Sequence, residues 1–142
     1  MFNSQRLRLG RRSLPGHDYL ITIVTRKRQP YFAEFLPASS ACQQFYAEAV
    51  ERHGQTLSFV VMPDHIHWLL RLEGDLSQAV RLYKAKVSLS VGTRVWQDGF
   101  HDHALRDDDD LRRVARYIVA NPLRAGLVKD IGNYPYWNAI WL

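Results

Sequence analysis

The distribution of apolar residues along the chain predicts four β-strands. Val, Ile and aromatic residues, which favour strands, dominate Tyr19–Thr25, Leu57–Met62 and His65–Leu72, and a weaker strand is predicted at His101–Arg106. Pro63 and Asp64 separate the second strand from the third and are typical of a turn. These two strands are therefore predicted to form a hairpin.

Apolar residues at helical spacing predict three helices between and after these strands. The helices are expected at about Pro37–His53, Leu76–Leu89 and Asp108–Ala120. Gly54 is predicted to stop the first helix, and Asp75 or Ser77 to cap the second. The acidic run Asp107–Asp110 is predicted to begin the third helix, because carboxylates favour the positive end of the helix dipole. Pro122 disfavours continuation of that helix.

Both ends of the chain differ in character from the segment between them. Residues 1–17 are predicted to form a basic tail with four arginines and little periodicity, or alternatively an arm that contacts phosphates. The segment Tyr134–Leu142 is aromatic and apolar, and is predicted to pack on the domain or to add a short strand. A base-stacking platform is the alternative for this segment. Residues 18–142 are therefore assigned to a single domain that includes the aromatic C-terminal tail.

Length and composition narrow the class of protein. The 142 residues fit one domain, and 19 Lys and Arg against 14 Asp and Glu give a formal charge of +5, which makes a polyanionic partner plausible. The single cysteine, Cys42, excludes an intramolecular disulfide. No signal peptide is evident, and no apolar stretch approaches the roughly 18–20 residues of a membrane span. A soluble, cytoplasmic protein is expected.

A His-x-His pair in the third strand is the first candidate for chemistry. Alternate side chains of a strand face the same side, so His65 and His67 should project together while Ile66 anchors the opposite face. Histidine is the commonest metal ligand, so the pair could form half of a metal site, although two half-exposed histidines are the alternative. His101 and His103 repeat the spacing, but they flank an acid instead of an apolar anchor and rank lower.

A tyrosine and an asparagine in the third helix are the second candidate. Tyr117 and Asn121 are four residues apart, so they should lie on one side of the helix, with Asn121 at its end. Taken alone, Tyr117 is better explained as a structural tyrosine on the flank of the helix, packed on its neighbours. Tyr117 lies near the end of the last long helix. It can act together with the histidines only if this helix packs close to His65 and His67.

Several motifs in sequence order resemble those of a known family. The motifs are Val61–His67, Trp96-Gln97, Asp102-His103, Leu105-Arg106, Tyr117-Ile118, Asn121-Pro122 and Gly126-Leu127-Val128. Together they resemble the single-tyrosine HUH transposases, and more closely the branch of REP-associated tyrosine transposases. The resemblance implies an α+β fold: a ferredoxin-like antiparallel sheet with helices packed on it, and an additional helix that carries the catalytic tyrosine.

The resemblance also implies a role for each candidate residue. It implies that His65, His67 and Asn121 bind a divalent cation, Mg or Mn, and that Tyr117 is the nucleophile. The implied substrate is single-stranded DNA folded into a REP-type hairpin in a bacterial nucleoid, bound by a monomer or, alternatively, a homodimer. Candidate contacts to the DNA backbone are Arg26, Lys27, Arg28, Lys84, Lys86 and Arg124.

The chemistry of such a site follows from the properties of its groups. A phenol has a pKa of about 10, so it is a poor nucleophile at neutral pH without help. A cation held by two imidazoles and an amide keeps open positions for phosphate oxygens and stabilises charge that develops on them. Attack by Tyr117 would leave a 5′-phosphotyrosine and a free 3′-hydroxyl. Two alternatives remain: a non-catalytic nucleic-acid-binding module, and a metal-dependent phosphodiesterase that uses water.

Overall fold

The computed structural model describes residues 14–106 and 111–141. Within these residues, five strands form one antiparallel sheet in the spatial order β4-β1-β3-β2-β5. The strands are β1 (Asp18–Val24), β2 (Gly54–Met62), β3 (His65–Leu72), β4 (His101–Ala104) and β5 (Trp137–Ala139). The first four have the order expected of a ferredoxin-like β-α-β-β-α-β unit, so the predicted α+β class is confirmed.

Five helices connect or follow the strands in the described part of the chain. They are α1 (Phe35–Gln44), α2 (Glu48–Glu51), α3 (Leu76–Val91), α4 (Leu111–Val119) and α5 (Asn121–Arg124). Helix α3 begins at the predicted cap, where Asp75 accepts a hydrogen bond of 2.9 Å from the Gln78 amide. None of the helices in residues 14–106 and 111–141 has the length and apolar character that crossing a membrane requires. The acidic run at 107–110 and residues 1–13 of the predicted basic tail lie outside the described residues.

The prediction of one helix over 37–53 is wrong, because the chain leaves the helix at Phe45. The Phe45 side chain is fully buried, and its ring stacks on Tyr83 at 4.3 Å and on Phe59 at 4.4 Å between centroids. Gly54 does not stop a helix but begins β2. A Cβ at Gly54 would lie 2.5 Å from the Arg71 carbonyl oxygen, so only glycine allows the two strands to approach there.

The sheet is covered on both faces, which gives the domain two apolar layers. On one face, Ile21, Ile66 and Trp68 pack with Tyr83 of α3 and with α1. On the other face, strand residues pack with buried residues of α4. Since Ile66 belongs to the first layer, the alternation of β3 directs His65 and His67 to the face that α4 covers.

The sheet is extended at both edges by short strands. The predicted fourth strand ends at Ala104 rather than Arg106, and the Leu105 amide donates instead to the Asp18 carbonyl at 2.9 Å. The predicted addition of a strand by the C-terminal segment is confirmed by β5, which pairs with β2. Tyr134 holds this segment against β2, because its hydroxyl donates a hydrogen bond of 2.6 Å to the Val61 carbonyl.

Truncating Leu69 should destabilise the layer that carries α4. Leu69 is fully buried and packs in one cluster with Ala115 and Ile118. Leu69→Ala should lower the free energy of unfolding by about 2 to 5 kcal/mol, because it removes apolar contacts and leaves a cavity. Leu89→Ala is the matched control, since Leu89 is 84% exposed. Equal urea denaturation midpoints for the two variants would contradict this packing.

Candidate active site

The two histidines lie on the central strand of the sheet. β3 pairs with β1 on one side and with β2 on the other, so the backbone at His65 and His67 is held by ladders on both sides. The two imidazole rings lie 4.9 Å apart between centroids, at an angle of 80°. Ile66 between them is fully buried on the opposite face, as the sequence predicts. The pair is therefore held on a strand that is hydrogen-bonded along both of its edges.

An oxygen atom orients each imidazole through its Nδ1 atom. Thr22 of β1 lies opposite His67, and its Oγ1 is 2.9 Å from His67 Nδ1. The carboxylate oxygen Oδ1 of Asp64 is 2.8 Å from His65 Nδ1. A histidine that uses Nδ1 in this way presents Nε2 to a ligand, and such hydrogen bonds are typical of metal-binding histidines. The donor set therefore fits a divalent cation held by two Nε2 atoms.

Asp64 connects the histidine pair to the basic turn that follows β1. Its second carboxylate oxygen accepts a hydrogen bond of 3.0 Å from Arg28, and its carbonyl accepts from the Thr25 amide at 2.9 Å. Burial raises the pKa of the Asp64 carboxyl, but the hydrogen bonds from His65 and Arg28 outweigh it, so that the pKa is lowered overall. Asp64 therefore stays ionised and holds His65 in one orientation.

The environment of His67 keeps its imidazole neutral. Burial is the main cause that lowers the pKa of His67 to about 4, and the nearby His65 and the Arg124 guanidinium contribute in the same direction. A neutral imidazole has the free lone pair that metal ligation requires. The effect of Arg124 also shows that this cation lies close to the histidine pair.

The stability of the metal-free protein should fall in mild acid because of His67. The unfolded chain takes up a proton on this histidine near pH 6.5, whereas the folded protein takes it up only near pH 4. The stabilisation that comes from a neutral His67 is therefore complete above pH 6.5 and is lost as the pH falls to 4, at a cost of about 3 kcal/mol. Unfolding by urea in EDTA across this range measures it. His67→Gln should flatten the profile, whereas the exposed His17→Gln should not; a wild-type slope in His67→Gln would contradict the assignment.

The candidate tyrosine lies on α4, the helix that covers the histidine-bearing face. The Tyr117 side chain is 63% exposed. The guanidinium of Arg124 lies over its ring, 3.8 Å from the centroid, and also donates to the Tyr117 carbonyl. The charge of Arg124 also acts on His67, so the arginine that contacts Tyr117 lies within electrostatic range of the imidazole pair.

Asn121 lies just after the end of α4, as predicted, and begins the short helix α5. Its amide nitrogen donates to the Ile118 carbonyl at 3.0 Å, which leaves the amide oxygen Oδ1 as the atom able to ligate a cation. In residues 14–106 and 111–141, no three His, Cys, Asp or Glu side chains form a group that could hold a metal ion. A third ligand from these residues would therefore have to be of another type, such as this amide.

The predicted DNA contacts divide between the two faces of the sheet. Arg26, Lys27 and Arg28 form a 3-10 turn directly after β1, and Arg28 reaches Asp64 beside the histidines. Arg124 lies within electrostatic range of His67 on the same side of the sheet. Lys84 and Lys86, in contrast, lie on α3, which packs against the opposite face.

Lys84 has structural partners on its own side of the sheet. Its ammonium group donates to the carbonyls of Gln97 and Gly99, at 3.0 and 3.1 Å, and burial lowers its pKa. The structure therefore brings Arg28 to Asp64 beside the histidines and Arg124 within electrostatic range of His67, and it does not bring Lys84 there.

Three residues near the histidines were not singled out for this site by sequence reasoning. Thr22 and Asp64 orient the two imidazoles, and His101 pairs with Thr22 across β1 and β4, which places it in the same lateral row as His67. The sequence pattern assigns Asp64 to a turn and gives it no role beside His65. The adjacency of Asp64 to His65 was a usable signal, whereas Thr22 and His101 required knowledge of the strand register.

The fold and the site together define a class. A ferredoxin-like sheet with two oriented imidazoles on its central strand, and a tyrosine-bearing helix on the same face, is the arrangement implied by the resemblance to single-tyrosine transposases. No family model matches the chain. Curated proteins and solved structures, in contrast, are similar to it.

The curated relatives are both named for the REP-associated tyrosine transposases. A Haemophilus influenzae protein is 28% identical over 141 residues, which cover 85% of this chain and 78% of that protein. The REP-associated tyrosine transposase of Escherichia coli K12 is 32% identical over an alignment of 83 residues. This alignment covers 56% of this chain and 50% of that protein.

The solved structures agree with these relatives. A REP-associated tyrosine transposase bound to a REP hairpin is 26% identical, with a TM-score of 0.72 over 89% of this chain and 79% of that one. A Deinococcus radiodurans protein described as a transposase shares the fold at 15% identity, with a TM-score of 0.53 over 79% of this chain and 95% of its own. In sequence and in fold, the chain is therefore similar to REP-associated tyrosine transposases.

Proposed function

We propose that this protein is a metal-dependent, single-stranded DNA endonuclease and strand transferase that acts on REP-type hairpin DNA through a 5′-phosphotyrosine intermediate. The observation that carries the proposal is the orientation of His65 and His67 by Asp64 and Thr22, which presents two Nε2 atoms on the face covered by the tyrosine helix. The solved relative bound to a REP hairpin supports the substrate class.

Three residues would hold the cation in this proposal. His65 and His67 would supply imidazole nitrogens and Asn121 its amide oxygen, with open positions left for phosphate oxygens. Mn or Mg is proposed as the cation because the resemblance to the transposases implies it. When bound, the cation supplies Lewis-acid stabilisation of negative charge at the phosphate. Thr22 and Asp64 keep the imidazoles in the required orientation.

The bond changes at the phosphate balance without a nucleotide cofactor. The Tyr117 hydroxyl oxygen attacks phosphorus, a new P–O bond forms to the tyrosine, and the bond from phosphorus to the 3′ oxygen breaks. The phenol proton ends on the released 3′-hydroxyl. Arg124 keeps the Tyr117 ring in place and adds positive charge beside the attacked phosphate. A 3′-hydroxyl that attacks the phosphotyrosine reverses the step and rejoins DNA.

The basic turn at Arg26–Arg28 and the Arg124 side chain contact the DNA backbone near the cleaved phosphate in this proposal. Lys84 and Lys86 lie on the other face of the sheet, so any contact from them would be to a more distant part of the hairpin. The protein is proposed to act as a monomer, which light scattering of the DNA complex would test.

A denaturing gel tests the chemistry directly. The full chain is incubated with a labelled hairpin oligonucleotide that carries single-stranded flanks, with Mn or Mg added. A covalent protein–DNA adduct with a released 3′-hydroxyl fragment is the expected result. Cleavage without an adduct would favour attack by water, and binding without either would favour a non-catalytic module. Each of these two outcomes would overturn the proposal.

A further inference from the structure

A cleft lies between α4 and the C-terminal segment, on the opposite flank of the helix from Tyr117. Its volume is about 300 Å³. Four residues of α4 at helical spacing form one wall, namely Arg112, Ala115, Arg116 and Val119. Trp137 of β5 and Trp141, close after it, line the other side.

The position of the cleft follows from the helix geometry. At about 100° per residue, the stripe of Arg112 and Arg116 and the side chain of Tyr117 lie on opposite flanks of α4, with the buried Ala115 and Ile118 between them. β2 lies between the histidine strand β3 and β5, so the cleft opens toward the β5 edge of the sheet. The cleft and the histidine pair are therefore separated by roughly the 10 Å width of one helix.

The chemistry of the walls defines the ligand. Arg112 and Arg116 are exposed and carry two positive charges along one wall, which suits successive phosphates. Trp137 and Trp141 are partly exposed, so part of each indole is open to contact. Indole rings and guanidinium planes are the two surfaces on which unpaired bases stack. A volume near 300 Å³ is at the small end of ligand pockets, which fits one or two bases rather than a duplex.

We propose that this cleft binds an unpaired nucleotide of the single-stranded flank, with its base against the indoles and its phosphates on Arg112 and Arg116. The inference rests on the proposed function for the DNA substrate. Because α4 separates the cleft from the candidate site, the bound nucleotide lies a few positions away from the cleaved phosphate. The cleft therefore selects which flank is presented for cleavage rather than taking part in the chemistry.

Binding in EDTA tests the cleft without any bond cleavage. Fluorescence anisotropy of the full chain compares three hairpins: one with a normal flank, one with an abasic flank of equal charge, and one that is blunt. Trp141→Ala should weaken binding of the normal flank about tenfold, in line with the loss of one stacked base. It should leave the abasic and blunt hairpins within about twofold. Trp141→Phe should keep most of the affinity, since a ring remains.

The arginines should behave differently from the tryptophan. Arg116→Gln should weaken the normal and the abasic flank equally, about fivefold, and lower the salt dependence by about one phosphate contact. Arg81→Gln is the matched control, because Arg81 is an exposed arginine on α3 at the other face. A change of less than about twofold is expected there.

A second readout guards against a misfolded variant. Trp68 and Trp96 are buried, at 0% and 4% exposure, so quenching of tryptophan fluorescence by the flank should come from Trp137 and Trp141. This quenching should be about halved in Trp141→Phe, a substitution that keeps an aromatic ring but removes one of the two reporting indoles.

Three results would contradict the proposal that the cleft binds an unpaired nucleotide. The first is that Trp141→Ala weakens binding of all three hairpins equally, and the second is that quenching is undiminished in Trp141→Phe. The third is that polyglutamate displaces the flank as effectively as an oligonucleotide of the same charge. Failure of adduct formation alone would remove the proposed chemistry but leave these binding results intact. If the adduct forms but Trp141→Ala binds every flank normally, only the proposal for the cleft would be contradicted.

Discussion

Tyr117→Phe should abolish formation of the covalent protein–DNA adduct and reduce hairpin cleavage by at least about a thousandfold. The substitution removes only the hydroxyl oxygen that would attack phosphorus. The ring remains, and with it the contact to the Arg124 guanidinium 3.8 Å from the centroid. Since Tyr117 is 63% exposed, the fold should be unaffected and DNA binding should stay within about twofold.

The matched control for this experiment is Tyr46→Phe. Tyr46 is another partly exposed tyrosine, at 46%, and its hydroxyl accepts a hydrogen bond from Asn138 at the β5 edge. It should form adduct at the wild-type rate. Undiminished adduct in Tyr117→Phe would remove this tyrosine from its role. Loss of adduct with retained cleavage would instead point to water as the nucleophile.

His67→Ala should remove cleavage while leaving hairpin binding largely intact. The imidazole is one of two proposed nitrogen ligands on the central strand, so its loss should weaken binding of Mn by at least about a hundredfold, as measured by calorimetry without DNA. Cleavage should fall at least as much, and EDTA should produce the same loss in the wild type. His17→Ala is the control, because His17 is exposed and its carbonyl pairs with Leu72, at the opposite end of β3 from the histidine pair.

A graded version of this experiment uses the residue that orients the imidazole. Thr22→Val keeps the shape of the side chain but removes the oxygen 2.9 Å from His67 Nδ1. Mn affinity should then fall about 10- to 100-fold, less than in His67→Ala. Mn affinity unchanged in both variants would exclude the histidine pair as the cation site. An intermediate loss in Thr22→Val would support orientation through Nδ1.

Sequence patterns predicted those parts of the site that depend on local geometry. The two-residue period of a strand was sufficient to place His65 and His67 together and Ile66 opposite, because that alternation does not depend on tertiary structure. The interruption at Asn121 was predictable for a similar reason, since Pro122 cannot continue the preceding helix.

Features that depend on long-range packing were not predictable. The helix break at Phe45 results from rings supplied by β2 and α3, far away in the sequence. Helical periodicity contains no information about such partners. The pairing of Thr22 with His67 likewise joins residues 45 positions apart, and it depends on a strand register that no local pattern specifies.

The short strand β5 protects one edge of β2, so deleting the C-terminal segment should change how the protein behaves in solution. The backbone amides and carbonyls of Ser58–Val60 on one side of β2 are taken up by residues 137–139. Deletion of the C-terminal segment would leave that row of groups open at the border of a hydrophobic sheet. Unpaired borders of this kind recruit strands from other molecules, so such a truncated protein should aggregate or exchange segments between copies.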